Sequence, residues 1–270
     1  MATAHNFGKE VLEVRSLTMD FGGLRALDKL DLSVRQGEIV ALIGPNGAGK
    51  TTFFNCITGL HAPTEGEMLV HPPNQSGTQR LNGLKPNRVT ERGLARTFQN
   101  IRLFPSMTVL ENVMIGRHCR MSAGIPGAVF RPRSTRKEEK QVVDDSYAML
   151  EKIGLEQFVN ELAMNLPYGA QRRLEIARAM ATDPFILLLD EPAAGMNPQE
   201  TRRLDELILR LREQEKISIL LIEHDMKMVM SLSDRIYVVD YGKKIAEGSP
   251  EEIKRNPAVI KAYLGEEIDA

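Results

Sequence analysis

Residues 44–51 constrain the fold of this chain more than any other segment. They read Gly-Pro-Asn-Gly-Ala-Gly-Lys-Thr, and they lie between a continuous apolar run at 39–43 and a segment with helical character. A strand, a glycine-rich loop and a helix in this order form a phosphate-binding loop. The glycines let backbone N–H groups point at phosphate oxygens, and the helix dipole adds to the attraction. The segment therefore predicts a nucleoside triphosphate site.

The loop and the start of its helix supply the candidate phosphate contacts. These are Gly44, Pro45, Asn46, Gly47, Ala48, Gly49, Lys50, Thr51 and Thr52. We expect Lys50 to reach the β- and γ-phosphates and the Thr51 hydroxyl to bind Mg²⁺.

Composition excludes several classes of protein. A net charge of -1 argues against a dominant surface for nucleic acid or anionic lipid. Cys56 and Cys119 are too few for a disulfide framework and lack metal-ligand spacing, which indicates a reducing compartment. No run approaches the roughly 18 apolar residues that span a bilayer. We therefore expect a protein that reaches a membrane only by docking to proteins already there.

Strands and helices are predicted to alternate along the chain. Alternating or continuous apolar residues predict strands at 12–17, 30–34, 39–43, 185–189 and 218–222, and a hairpin at 235–246. Helical spacing predicts helices at 137–153, 169–181 and 201–214. We expect a loop at 69–89, a second break at 122–136, and a solvated helix start in the charged run 131–140. This order predicts a mostly parallel α/β sheet covered on both faces.

The second half of the chain carries residues suited to hydrolysis. Asp190 and Glu191 follow a buried strand, at the end where ligands bind in open α/β sheets. Asp190 suits a Mg²⁺ contact and Glu191 suits a general base for water. His224, at the end of the next strand, could orient water and contact the γ-phosphate. An acid pair that caps the next helix, and a structural histidine, are the alternatives.

From about Leu12 to Glu266, the chain resembles the nucleotide-binding subunit of an ATP-binding cassette (ABC) transporter. The resemblance implies that ATP is bound with Mg²⁺. It makes Gln99 the Q-loop glutamine, which contacts metal and water, and His224 the switch histidine. It makes Phe21 the aromatic residue that stacks on adenine, although a core phenylalanine is an alternative. It places the signature motif, with Tyr168 and Gly169 as nucleotide contacts, at 166–170, and the D-loop at 193–197.

The resemblance also implies the architecture. We expect a RecA-like P-loop NTPase core with an antiparallel β subdomain and an inserted α-helical subdomain. The RecA-like lobe would combine about 9–98 and 182–250, the helical lobe would span about 99–181, and a helical tail would span about 251–270. Two such subunits would sandwich two ATP molecules, each between one P-loop and the opposite signature.

Segments 96–104, 190–198 and 222–226 are similar to the Liv-type subfamily for branched-chain amino acid uptake. This similarity implies a cytoplasmic protein attached to the inner membrane through permease subunits. It implies a second ATPase subunit, either a paralogue or a second copy, an indirect link to a solute-binding protein, and no nucleic acid. Other transported solutes (another amino acid, urea, amides, or exported lipopolysaccharide) and a soluble assembly-scaffold ATPase remain alternatives.

The signature departs from the family's Leu-Ser-Gly-Gly-Gln. Pro167 has neither a hydroxyl nor a backbone N–H to donate, and Ala170 lacks a polar side chain. Losing one charge-assisted contact to the opposite γ-phosphate should cost about 1.5–3 kcal/mol. Asn197 replaces the usual D-loop aspartate. We therefore expect this signature to contribute weakly, and a partner's signature to serve this chain's ATP, which favours a heterodimer.

An apolar group follows Gln99, comprising Ile101, Leu103, Phe104 and Met107. It is a candidate groove for a cytoplasmic helix of a membrane subunit. Local core packing is the alternative.

Overall fold

The computed structural model describes residues 7–73, 75, 77–120 and 133–268. Its strands are β1 (Glu10–Phe21), β2 (Leu24–Arg35), β3 (Ile39–Ile43), β4 (Glu65–Val70), β5 (Gln79–Arg80), β6 (Leu94–Arg96), β7 (Ile186–Asp190), β8 (Ser218–Ile222), β9 (Arg235–Asp240) and β10 (Lys243–Gly248). Its α-helices are α1 (Lys50–Ile57), α2 (Pro86–Glu91), α3 (Val109–Arg117), α4 (Arg133–Ile153), α5 (Tyr168–Met180), α6 (Pro198–Glu215), α7 (Met226–Leu232), α8 (Pro250–Lys254) and α9 (Pro257–Ile268). Three short 3₁₀ turns span His118–Arg120, Glu156–Phe158 and Ala163–Asn165.

The larger sheet has the strand order β10-β9-β3-β8-β7-β6, and only the β9–β10 hairpin is antiparallel. Every residue of β3, β7 and β8 is buried, because helices or the second sheet cover both faces. The predicted parallel sheet and its hairpin are confirmed. The carboxyl ends of β3, β6, β7 and β8 meet at one edge, which therefore collects the segments that follow these strands.

The second sheet is antiparallel, with the order β2-β1-β4-β5. It contradicts the loop predicted at 69–89, since the end of β4, all of β5 and the first four residues of helix α2 lie in that range. Strand β5 is only two residues long and forms by pairing with β4, so no periodic pattern signals it. Pro86 lies in the first turn of α2, where a missing N–H removes no helical hydrogen bond. The prolines and glycines therefore separate short strands and helices and do not form one long loop.

Helices α3, α4 and α5 lie between β6 and β7 in sequence and pack on one another. A capping box between Thr108 and Glu111 starts α3. Most of the break predicted at 122–136 lies outside the described residues. Helix α4 begins at Arg133, earlier than the predicted residue 137, and its early positions 136, 137 and 140 are exposed. The solvated helix start is therefore confirmed at these three positions, whereas Thr135 in the same run is buried.

Three hydrophobic clusters hold these layers together. The first lies between the two sheets and includes Phe53 and Phe54 of α1. The second joins the opposite face of the large sheet to α3, α5 and α6. The third packs α7 and the C-terminal helices α8 and α9 against β3 and β9. In the part of the chain that the structure describes, no helix is long and apolar enough to cross a bilayer.

Candidate nucleotide-binding and hydrolysis site

The loop between β3 and α1 can form only with glycine at two of its positions. Gly44 and Gly49 have φ angles of 154° and 102°. A Cβ at Gly44 would lie 2.0 Å from the carbonyl oxygen of Val239, and one at Gly49 would lie 2.6 Å from that of Ala26. The backbone is therefore pressed against neighbouring strands while the other side of the loop remains open.

The start of α1 presents an anion site. Gly49 precedes the helix, and no side chain of the described residues caps it. Lys50 is buried, and its Nζ donates to the carbonyl oxygens of Gly44 at 2.5 Å and Pro45 at 2.8 Å. The remaining predicted phosphate contacts include exposed Asn46, Gly47 and Thr51, half-buried Thr52 and buried Ala48. Backbone N–H groups, a helix dipole and an ammonium converge here, which suits a polyphosphate.

Asp190 lies at the end of β7 beside Arg96, which ends β6. Arg96 Nη2 donates to Asp190 Oδ2 at 2.7 Å, and the two side chains are 7% and 6% exposed. Among the described residues, no hydrogen bond reaches Asp190 Oδ1. This carboxylate oxygen and the exposed Thr51 hydroxyl are hard oxygen donors of the kind that Mg²⁺ prefers.

Glu191 occupies the centre of a hydrogen-bonded group of candidate hydrolytic residues. Its Oε2 accepts a hydrogen bond from Gln99 Nε2 at 2.6 Å, and its Oε1 lies 2.9 Å from His224 Nε2. Its backbone has a φ of 47°, which is unusual for a residue other than glycine and marks a constrained position. The fold therefore brings together three residues that the sequence singles out in separate segments. Such a row can orient and deprotonate a water molecule.

Comparisons with known proteins agree with this geometry. The family model for ABC transporters matches residues 27–194. A model for the branched-chain amino acid ATP-binding cassette transporter matches residues 243–269. The chain belongs to the ABC transporter family. As a member of that family it binds and hydrolyses ATP, and the resemblance noted from its motifs is confirmed.

Individual relatives extend the comparison over nearly the whole chain. The high-affinity branched-chain amino acid transport ATP-binding protein LivG of Escherichia coli is 51% identical over 95% of this chain and 98% of its own length. A solved ATP-binding cassette of an ABC transporter, in its ADP conformation, has a TM-score of 0.80 and 32% identity over 95% of this chain and 99% of its own. A dimeric cassette in a post-hydrolysis state with ADP and Pi has a TM-score of 0.72 and 26% identity, covering 88% and 98%.

The predicted ABC signature segment, 166–170, lies at the start of helix α5. Pro167 precedes this helix, and no side chain of the described residues caps it. The Tyr168 hydroxyl donates to the carbonyl oxygen of Ala194 in the D-loop at 2.9 Å. Gly169 is buried, and a Cβ there would lie 2.8 Å from Glu200 Oε1. A carboxylate of the same chain therefore lies close to the start of the signature helix.

Two buried charges of the ABC signature helix are functional candidates that the sequence analysis missed. Arg172 and Glu175 are 0% and 1% exposed and form an ion pair of 2.9 Å. Arg172 also donates to the carbonyl oxygens of Phe98 and Gln99, each at 2.6 Å, while Glu175 accepts the backbone N–H groups of Phe98 and Arg102. Burial raises the pKa of Glu175, and the Arg172 charge opposes that shift. The pair therefore binds the backbone around Gln99 to helix α5.

Glu223 was also missed. It directly follows the buried strand β8, as Asp190 ends β7, and this placement was the available signal. Its carboxylate accepts hydrogen bonds from the backbone N–H groups of Ala193 at 2.8 Å and His224 at 2.9 Å. It thereby joins the segment that follows β7 to the segment that carries His224.

Phe21 and the apolar group after Gln99 lie outside this hydrogen-bonded centre. The Phe21 ring ends β1, is 43% exposed and meets His61 edge-on at 5.4 Å between centroids. Leu103 packs against the core, whereas Phe104 and Met107 are exposed. Adenine stacking and helix docking at these positions therefore stay predictions.

Proposed function

We propose that this chain powers a membrane importer of branched-chain amino acids by hydrolysing ATP. The observation that carries this proposal is the row formed by Gln99, Glu191 and His224 at the same sheet edge as the phosphate-binding loop. The solute assignment is supported by LivG, whose name describes high-affinity transport of branched-chain amino acids, and by the C-terminal family model.

ATP binding begins at the loop. The exposed Phe21 ring stacks on adenine, while the N–H groups of the loop and of the first turn of α1 bind the phosphates. Lys50 exchanges its two carbonyl acceptors for β- and γ-phosphate oxygens, which hold the ammonium more strongly because they are charged. Thr52 and the neighbouring loop residues complete this half of the site.

Mg²⁺ bound with ATP would neutralise phosphate charge during hydrolysis. The Thr51 hydroxyl, the Asp190 carboxylate and the Gln99 side-chain amide would hold it. Glu191 takes the proton from the attacking water, while His224 fixes the Glu191 carboxylate and contacts the γ-phosphate. Gln99 orients the water. Because it stands where the helical lobe begins, it also links the ATP-filled site to that lobe.

One chain supplies half of each composite site. We propose a RecA-like lobe of about 9–98 and 182–250, a signature-bearing helical lobe of about 99–181 and a tail of about 251–270, paired with a second ATPase subunit. The dimeric cassette with ADP and Pi supports such pairing. Tyr168 and Gly169 face the partner's ATP. Pro167 has no hydrogen-bond donor and the Glu200 carboxylate lies nearby, so this chain's signature binds the partner's ATP weakly. The partner is therefore a paralogue whose own signature binds phosphate more strongly.

In this proposal the assembly lies at the cytoplasmic face of the inner membrane. Integral permease subunits hold the ATPase pair there, and a solute-binding protein delivers the amino acid on the opposite side. The exposed Phe104 and Met107 offer part of the permease contact.

Two measurements test the proposal. A mild-detergent pull-down from native membranes should recover permease subunits and a second ATPase, whereas recovery of soluble partners alone would indicate an assembly scaffold.

Cells lacking the chain should lose leucine uptake, and the native chain, but not Glu191→Gln, should restore it. Loss of urea or amide uptake with normal leucine uptake would contradict the proposed solute.

A further inference from the structure

Arg96 connects three parts of the site that are distant in the sequence. It ends β6, three residues before Gln99, and its side chain is almost fully buried. Besides its 2.7 Å bond to Asp190, Nη1 donates to Asn55 Oδ1 at 2.8 Å and to Thr58 Oγ1 at 3.2 Å. One guanidinium therefore joins the carboxylate at the end of β7 to the helix that follows the phosphate-binding loop.

Aromatic rings hold the same guanidinium in place. Its central carbon lies 5.4 Å from the centroid of Phe54 in α1 and 5.0 Å from that of Phe98, the neighbour of Gln99. Contacts of this kind between a cation and a ring face are attractive, and burial strengthens them. A lysine could supply the charge but not the planar fork with several donors. The contacts therefore favour arginine specifically.

The negative charge of Asp190 is the reason that a buried cation is needed beside it. A buried carboxylate without a partner is strongly destabilising. Among the described residues, Arg96 is the cation that forms an ion pair with Asp190. We propose that Arg96 is a positioning residue for ATP hydrolysis, which serves as the counter-ion of Asp190 before metal binds and links that carboxylate to α1 and the Gln99 segment. This inference rests on the proposed role of Asp190 in metal binding.

The first test is a double-mutant cycle on the full chain, followed by thermal unfolding in EDTA. Arg96→Met should lower the melting temperature, because it leaves Asp190 charged and buried. Adding Asp190→Asn should recover much of that loss, because the isolated charge is then removed. Strictly additive effects of the two substitutions would overturn the counter-ion role.

The second test measures the affinity of a fluorescent ATP analogue in EDTA and in Mg²⁺. Mg²⁺ should supply the positive charge that is missing in Arg96→Met. The dissociation constant in EDTA divided by that in Mg²⁺ should therefore be about tenfold higher in this variant than in the native chain. Arg96→Lys, which keeps a cation, should stay close to the native ratio. An unchanged ratio in Arg96→Met would overturn the inference.

Arg235→Met is the matched control. Arg235 also pairs with a buried carboxylate, that of Glu38, and lies over an aromatic ring, that of Tyr237. It begins β9 at the sheet edge opposite the phosphate-binding loop. Arg235→Met should therefore have the same ratio of the two dissociation constants as the native chain. Asp190→Asn separates the two hypotheses, because a native ratio in that variant would contradict the proposed metal site itself and not the role of Arg96.

Discussion

The phosphate-binding loop and the signature segment are both starts of helices, yet their surroundings differ. Helix α1 follows Gly49 and α5 follows Pro167, and within the described residues neither start has a side-chain cap. The first start has the Lys50 ammonium beside it, whereas the second has the Glu200 carboxylate close to Gly169. A helix N-terminus attracts anions, and a nearby charge strengthens or weakens that attraction. The same backbone feature can therefore make a strong or a weak phosphate site.

The largest expected effect is that of Glu191→Gln, which should separate ATP binding from ATP hydrolysis at the site that contains the phosphate-binding loop. Glu191→Gln keeps the shape of the side chain but removes the base, so ATPase turnover should fall by about 10²–10⁴-fold while ATP still binds. Steady-state hydrolysis and nucleotide binding would be measured on the same preparation. Exposed Glu161→Gln is the control. Near-native turnover in Glu191→Gln would refute the assigned base.

Lys50→Ala tests the strength of the loop itself. It removes a charge-assisted contact worth about 1.5–3 kcal/mol, so ATP affinity should fall by about 10–100-fold. Isothermal titration calorimetry would report the change. Exposed Lys152→Ala should bind ATP like the native chain. Equal affinities in both variants would remove Lys50 from the site.

Pro167→Ser should reduce the difference between the two helix starts. A serine there could cap α5 and donate to the partner's γ-phosphate, so at least one half-site of the assembled transporter should hydrolyse ATP faster, by up to about tenfold. Pro250→Ser, in the first turn of α8, is the control. Unchanged ATPase on Pro167→Ser would show that this proline does not weaken the signature.

The smallest effect concerns the negative charges around Asp205 in α6. Burial, with the charges of Asp225, Glu223 and Glu206, raises the pKa of Asp205 to about 6. The folded state thus binds this proton more tightly than the unfolded state, so stability falls as pH rises from about 4 to about 6.

Asp205→Asn should therefore raise the melting temperature at pH 8, by about 2–4 °C for a partly solvated group, and change it little near pH 4. Exposed Glu206→Gln should give a smaller shift. Equal effects of Asp205→Asn at both pH values would contradict the raised pKa.

Sequence patterns sufficed for residues whose neighbours follow from strand order. The loop at 44–51, the acids at the end of β7 and the histidine after β8 were found because the carboxyl ends of parallel strands share one edge. Strand β5 and helix α2 escaped because they are too short to show a period. Arg96 escaped because its partner Asp190 is 94 residues away.

The sequence by itself determined the phosphate-binding loop, the buried strands and the absence of donors at Pro167, since each depends on local residue chemistry. Tertiary structure alone decided which charges became neighbours. It brought Arg96 to Asp190, enclosed Arg172 and Glu175 beneath the Q-loop, and set Glu200 beside the signature helix. Electrostatic interactions depend on distance and burial, which a linear pattern does not contain.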